Sequence, residues 1–138
     1  MSQEAATIYP ALYYSDAPAA LAWLARAFGF EQRLAVPSDA GTIRHAEMTL
    51  GPGVIMLGTA DPARGMCSPR DLAGTHQSIC IYVEDPDAHY ARARAAGAEI
   101  VAELTDKDYG SRDYTVRDLE GHLWTFGTYR PGAHWQAA

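Results

Sequence analysis

Several things are missing from this chain, and each absence removes a class of function. Only two cysteines occur, Cys67 and Cys80, with no CxxC and no other metal-ligand spacing. That argues against a disulfide framework and against a structural zinc site. Cys80 stands in an apolar run and reads as a small buried hydrophobe. The formal net charge is −6 and no basic run occurs. Nucleic acids and anionic membranes are held by clustered Lys and Arg, so neither is expected as a partner. No apolar stretch approaches the roughly 20 residues of a membrane span. Residues 1–6 lack a basic region followed by an apolar one, so no signal peptide is expected and the cytoplasm is the expected compartment. The glycines form no phosphate-binding fingerprint, since Gly51-Pro52-Gly53 is turn chemistry. No Ser-His-Asp order is legible.

What remains is 138 residues, 48% hydrophobic and 20% charged, which suits one compact domain able to bury a core without staples. Residues 7–14 read as a strand. Ser15 or Asp16 is an N-cap, Pro18 suits a first helical turn, and Leu21, Leu24 and Phe28 recur at helical spacing up to a terminating Gly29. Strands follow at 31–36, 42–50 and 54–59. The second half repeats the plan. It has a strand at 76–84, a helix opened by Asp85-Pro86-Asp87 and closed at Gly97, then a strand at 98–103. A hairpin follows, of 112–117 and 122–128 about the turn Asp118-Leu119-Glu120-Gly121.

Leu50, Leu57 and Gly58 match Leu119, Phe126 and Gly127 at an offset of 69, half the chain. The expected fold is therefore α+β: one domain over 1–138, made of two tandem βαβββ modules at 7–59 and 76–128. A Pro- and Gly-containing linker joins them at 60–75. A helix on one side of such a sheet leaves the other face to be covered, so paired curved sheets are expected to enclose a cleft.

The doubled plan resembles a known family. So do Phe28-Gly-Phe-Glu31, the His45-Ala-Glu-Met48 and Val54-Ile-Met-Leu-Gly58 strands, the run from Tyr82 to Ile100, and the run from Asp108 to Tyr129. All are similar to the vicinal oxygen chelate superfamily, and within it to glyoxalase/bleomycin-resistance-like proteins. The resemblance covers residues 8–131. It implies a homodimer, modules often paired across subunits, and ligand clefts inside the paired sheets. In the superfamily's enzymes it implies a divalent metal held from the first and last strands of each module. Matched to this sequence, those positions are Tyr9, Met56, Ser78 and Thr125. None is a His or a carboxylate, and a slip of two residues brings in only His76. No metal and no cofactor are expected, because thioether and lone hydroxyl groups are poor ligands for such ions.

The remaining candidates are polar or aromatic. His45 and Glu47, two apart on one strand, share a sheet face. They either reach the cleft or lie at a dimer seam or in solvent. Tyr13 shares the face of Tyr9. Tyr109 precedes the second hairpin and is placed at the cleft mouth, with Arg112 and Tyr114 after it on one face. Trp124 and Phe126 have the opposite parity to Thr125 and belong to the core. His89 reads as a solvated helix residue and His122 as a turn residue. Tyr9, Tyr13, His45, Glu47, Met56, His76, Ser78, Tyr109, Arg112, Tyr114 and Thr125 thus form the expected ligand-binding set. Three classes stay open. The favoured one is a metal-free binding protein that sequesters a flat, aromatic or apolar natural product or antibiotic and so confers resistance. The others are a metal-dependent lyase, isomerase or dioxygenase, and a dimeric module whose cleft serves assembly.

Overall fold

A computed structural model describes residues 6–132. The first module runs β1 (Ala11–Tyr14), α1 (Ala17–Phe28), β2 (Glu31–Pro37), β3 (Ile43–Leu50) and β4 (Gly53–Thr59). The second runs β5 (Ser78–Tyr82), α2 (Pro86–Ala95), β6 (Glu99–Asp106), β7 (Arg112–Arg117) and β8 (Leu123–Gly127). Each module folds into a four-stranded mixed sheet, in the orders β1-β4-β3-β2 and β5-β8-β7-β6. The twin is visible in the register. β1 runs parallel to β4 with Ala11 opposite Met56, and β5 runs parallel to β8 with Cys80 opposite Thr125. Both pairs are related by the offset of 69 read from the sequence.

The first strand starts later than expected, at Ala11, so Tyr9 lies in an extended lead-in rather than in the sheet. β6 runs on to Asp106, into the stretch expected as a loop, and pairs there with Arg112. The linker is less irregular than its composition suggests. Pro62–Arg64 and Pro69–Asp71 form 3₁₀ turns, and Asp61 and Met66 exchange backbone hydrogen bonds of 3.1 and 2.7 Å. His134 and Trp135 lie outside the described residues.

One core joins the modules. It takes Leu12, Tyr14, Ala46, Met48, Ile55 and Leu57 from the first sheet and Leu21, Leu24 and Phe28 from α1. The second sheet adds Tyr114, Val116, Trp124 and Phe126. Phe28 stands edge-on to Trp124 at 5.4 Å between ring centroids, and 4.8 Å from Phe126. α2 offers little apolar surface of its own beyond the buried Pro86 and Ala93. It is held instead by polar reach across the module boundary. Arg92 donates to the carbonyls of Ala25 and Arg26 at 3.0 Å each, and His89 Nε2 lies 2.9 Å from the carbonyl of Phe28. These carbonyls belong to the last turn of α1 and carry the negative end of its dipole; that of Ala25 also accepts the N–H of the capping Gly29 at 3.2 Å.

The other end of α1 is held from the same module. Buried Glu120 accepts the backbone N–H groups of Ser15 and Asp16 at 2.7 and 2.8 Å. It also accepts the Ser68 hydroxyl at 2.5 Å. Burial pushes the Glu120 carboxyl upward. The Ser68, Asp16 and Ser15 hydrogen bonds and the nearby Arg70 outweigh burial and hold it below its ordinary value. The second module thus places an acid at the start of α1 and a base at its end, the arrangement the helix dipole favours.

His89 was expected in solvent. It is instead largely buried, with its ring 4.1 Å from that of Phe126 and Nδ1 2.6 Å from the Tyr114 hydroxyl. Cys80 was expected in the core. It is exposed, because Ile79 and Ile81 take the core side of β5 and strand alternation puts the residue between them on the other.

Candidate functional site

With both helices and the core on one side of each sheet, the opposite faces are uncovered by the described residues. The sheets do not close on one another. On the first sheet the ladder sets Met56 beside Ala11 and Glu47, and Glu47 beside Leu34. Val36 pairs with His45 on the same side. Leu34 is 42% exposed. His45 Nε2 lies 2.7 Å from Glu47 Oε2, and both side chains are more than one-third exposed. Two residues apart on a strand is the spacing that brings two side chains to one face, so the sequence reading of this pair as neighbours holds.

On the second sheet the uncovered face carries Ser78, Cys80 and Tyr82 along β5, with Thr125 and Thr115 beside them. The two threonine hydroxyls are 3.0 Å apart. The Arg130 guanidinium stacks 3.7 Å from the centre of the Tyr82 ring. Residue for residue, the partner of Thr125 is Cys80, and Ser78 is opposite Leu123. Cys80 is therefore a missed member of this face. The apolar Ile79 and Ile81 on either side were the signal that could have found it.

Four expected site residues are elsewhere. Tyr114 is fully buried and packs on the helix side, opposite Phe126 and bonded to His89. The reason is parity: Trp124 and Phe126 face the core, and Tyr114 is the cross-strand neighbour of Phe126. Arg112 shares that side. It pairs with Asp87 of α2 at 2.9 Å and with Asp106 at 3.3 Å. Tyr109 is 61% exposed in the turn of residues 107–110, edge-on to Tyr129 at 5.8 Å. Tyr9 is 39% exposed, with its hydroxyl turned back to the carbonyl of Ala6.

Tyr13 and His76 meet at a third place. A cavity of about 450 Å³ lies between the edge of β1 and the linker. Ala11, Tyr13, Met66, Cys67, Leu72, His76 and His122 are among its lining residues. The structure therefore distributes the expected set over two uncovered faces and this cavity rather than gathering it in one pocket.

The superfamily's enzymes hold a divalent metal, and the donors here do not fit one. The matched positions Tyr9, Met56, Ser78 and Thr125 supply a phenol, a thioether and two hydroxyls, with Ala11 opposite Met56 and Cys80 opposite Thr125. Among the described residues no group of three or more His, Cys, Asp or Glu side chains is placed to bind a metal ion. What the faces do offer is apolar contact, a thiol, hydroxyls and one imidazole–carboxylate pair.

A sequence profile of the Glyoxalase/Bleomycin resistance protein/Dioxygenase superfamily matches residues 7–126. The chain belongs to this superfamily. Protein Rv0887c of Mycobacterium tuberculosis is 34% identical over 123 residues, covering 86% of this chain and 71% of the relative. Among solved structures, TioX from Micromonospora sp. ML1 is similar with a TM-score of 0.73 and 41% identity, over 91% of this chain and 99% of that one. The fosfomycin resistance protein FosX from Listeria monocytogenes, solved with Mn(II) and sulfate, has a TM-score of 0.64. At 18% identity over 95% of this chain and 96% of that one, it shares the fold alone. Among the described residues no helix is long and apolar enough to cross a membrane.

Proposed function

We propose that the protein binds a flat, mainly apolar small molecule, an antibiotic or related natural product, and protects by sequestering it without a metal. The observation that carries this reading is the composition of the two uncovered sheet faces. Met56, Leu34 and Val36 on one, with Tyr13 at the cavity beside it, and Thr125, Thr115 and Tyr82 on the other, give apolar contact and hydroxyl groups. Small-molecule sites are commonly built this way. Met56 adapts to ligand shape. The His45–Glu47 pair and the threonine hydroxyls orient it by hydrogen bonds. Sequestration requires affinity and no turnover, so a face without a Lewis acid is adequate to it.

The reading includes a homodimer, in which a second copy supplies the opposing wall of the site, and the cytoplasm as its compartment. Titration calorimetry with a panel of planar aromatic antibiotics tests it. We expect at least one to bind below about 100 μM, close to −5.5 kcal/mol, with the affinity unchanged after dialysis against a chelator. Stoichiometric zinc, nickel, manganese or iron in protein purified without chelator, together with turnover of a glyoxalase or dioxygenase substrate, overturns the reading in favour of a metal-dependent enzyme.

A further inference from the structure

The cavity beside the linker is lined by a histidine, His122, with one ring nitrogen engaged by backbone. His122 Nε2 lies 2.9 Å from the backbone carbonyl of Tyr13. A carbonyl only accepts, so in the neutral ring Nε2 carries the hydrogen and Nδ1 carries the lone pair. The ring cannot turn freely, because the Tyr14 ring sits 4.7 Å from it on the core side. No buried side-chain nitrogen or oxygen among the described residues lacks a partner. Nδ1 makes none of the hydrogen bonds found among the described residues, so it is not sealed in, and His122, 9% exposed as a residue, is among those lining the cavity.

The walls around that acceptor are preformed and mostly apolar. Ala11 and Tyr13 come from β1, and Met66, Cys67 and Leu72 from the linker. The linker wall is tied down. Ser68, next to Cys67, donates to Glu120 at 2.5 Å and accepts the Arg70 N–H at 3.2 Å. At about 450 Å³, the space falls within the range of roughly 300–1,000 Å³ typical of small-ligand sites. Ala11 also stands opposite Met56, so the cavity borders the uncovered face of the first sheet.

We infer that this cavity is an arm of the ligand site that takes an aromatic ring bearing a hydroxyl donor, a phenol, whose O–H bonds to Nδ1 of His122. The inference rests on the binding function proposed above and deepens it by naming a place and a ligand group. An apolar ring without a donor leaves the acceptor unpaired on desolvation and binds less well.

The two cysteines make the test. Cys67 lines the cavity, and Cys80 lies exposed on the far sheet. Single-thiol variants of the full chain, C80S and C67S, are alkylated with iodoacetamide in the presence of β-naphthol or its methyl ether. β-Naphthol is expected to slow alkylation of Cys67 in a saturable way and to leave Cys80 unchanged. The ether is expected to need about fivefold higher concentration for the same effect, as one hydrogen bond implies. Adding Leu72→Trp, at a residue 47% exposed, fills the cavity from outside and is expected to abolish the protection.

Unchanged Cys67 alkylation at high β-naphthol, or protection that survives Leu72→Trp, overturns the inference. Equal potency of the ether overturns the role given to His122. Protection of Cys80 alone moves the ligand to the second sheet, so the cavity is rejected and the binding function stands. Protection of Cys67 in a protein that binds no antibiotic by calorimetry keeps the cavity and rejects sequestration.

Discussion

The hydroxyl of Tyr14 donates to Oδ2 of Asp118 at 2.6 Å, joining residues 104 positions apart. Trp124 Nε1 donates to the same oxygen at 3.1 Å. The other oxygen, Oδ1, accepts the backbone N–H groups of Glu120, Gly121 and His122 at 3.0, 3.1 and 3.0 Å. One buried carboxylate therefore closes the β7–β8 turn and fastens it to the first module. Burial and then the Asp118 charge push the Tyr14 hydroxyl well above its ordinary pKa. Asp118→Ala leaves two buried donors and a turn unpartnered, and is expected to cost about 3 kcal/mol or more. Asp118→Asn keeps the turn acceptor but sets an amide N–H against the Trp124 N–H, for about 1–3 kcal/mol. Urea unfolding measures both. A loss below about 1 kcal/mol in the alanine variant removes Asp118 from this role.

His89 gives the protein an acid-sensitive joint. Its Nε2 faces the Phe28 carbonyl and so carries the hydrogen, which leaves Nδ1 to accept from the Tyr114 hydroxyl. The contact at Nδ1 needs the neutral ring, whereas the bond to Phe28 is kept, and favoured, in the charged one. Burial lowers the His89 pKa from its ordinary 6.5, the bond to Phe28 opposes that, and the charge of Arg92 adds to it. A folded-state value below the unfolded one means that the unfolded chain takes up the proton first. Stability is then complete above pH 6.5 and falls with pH until the folded ring protonates as well. Glu120 acts in the same direction, but only below its ordinary carboxylate value of 4.5. Between those limits His89 contributes a slope. His89→Gln is expected to flatten unfolding free energy against pH in that window, and an unaltered slope refutes the assignment.

Local signals carried the parts of the fold that depend on neighbours in sequence. Asp16 caps α1 and Gly29 ends it at a φ of 85°, as the residues suggested. The paired hairpins and their common offset were equally legible. Contacts across the module boundary were not. Nothing in the periodicity of α2 marks Arg92 or His89 as partners for carbonyls more than 60 positions earlier, and polar residues on a helix read as solvated. Tyr114 was within reach of the sequence. The turn at 118–121 sets it opposite Phe126, already assigned to the core, and grouping it with Arg112 at the cleft obscured that. Cys80 was misplaced for a simpler reason: its apolar neighbours were taken as its environment, whereas in a strand they define the face it does not share.

Gly127 is required by its place in β8 rather than by its backbone angles. A Cβ there would collide with the Cβ of Asp113 and the carbonyl of Arg112 on β7. Backbone cannot give way as a flexible side chain does. Gly127→Ala is expected to cost about 1–3 kcal/mol, the usual range for overpacking. Gly74→Ala is the control. A Cβ there meets nothing within 4 Å, so a change within about 0.5 kcal/mol is expected. Equal midpoints for the two variants in thermal or urea unfolding contradict the packing argument.

The uncovered faces lead to a last expectation, the oligomeric state. Leu34 at 42% exposure and Tyr82 at 39% lie on faces with no helix over them. Apolar side chains on a sheet face are stabilised by a second layer. If a second copy supplies that layer, sedimentation at micromolar concentration gives a dimer. Met56→Arg and Thr125→Arg act on different sheets, and both point away from the core, so circular dichroism should stay that of the parent. Each charge would have to be desolvated without a partner on pairing, which is strongly unfavourable. When the first sheet of one copy meets the second sheet of the other, either substitution alone gives monomer. When like sheets meet, only one of the two does. A parent protein that sediments as a monomer under these conditions leaves the faces to the ligand alone and rules out the dimer.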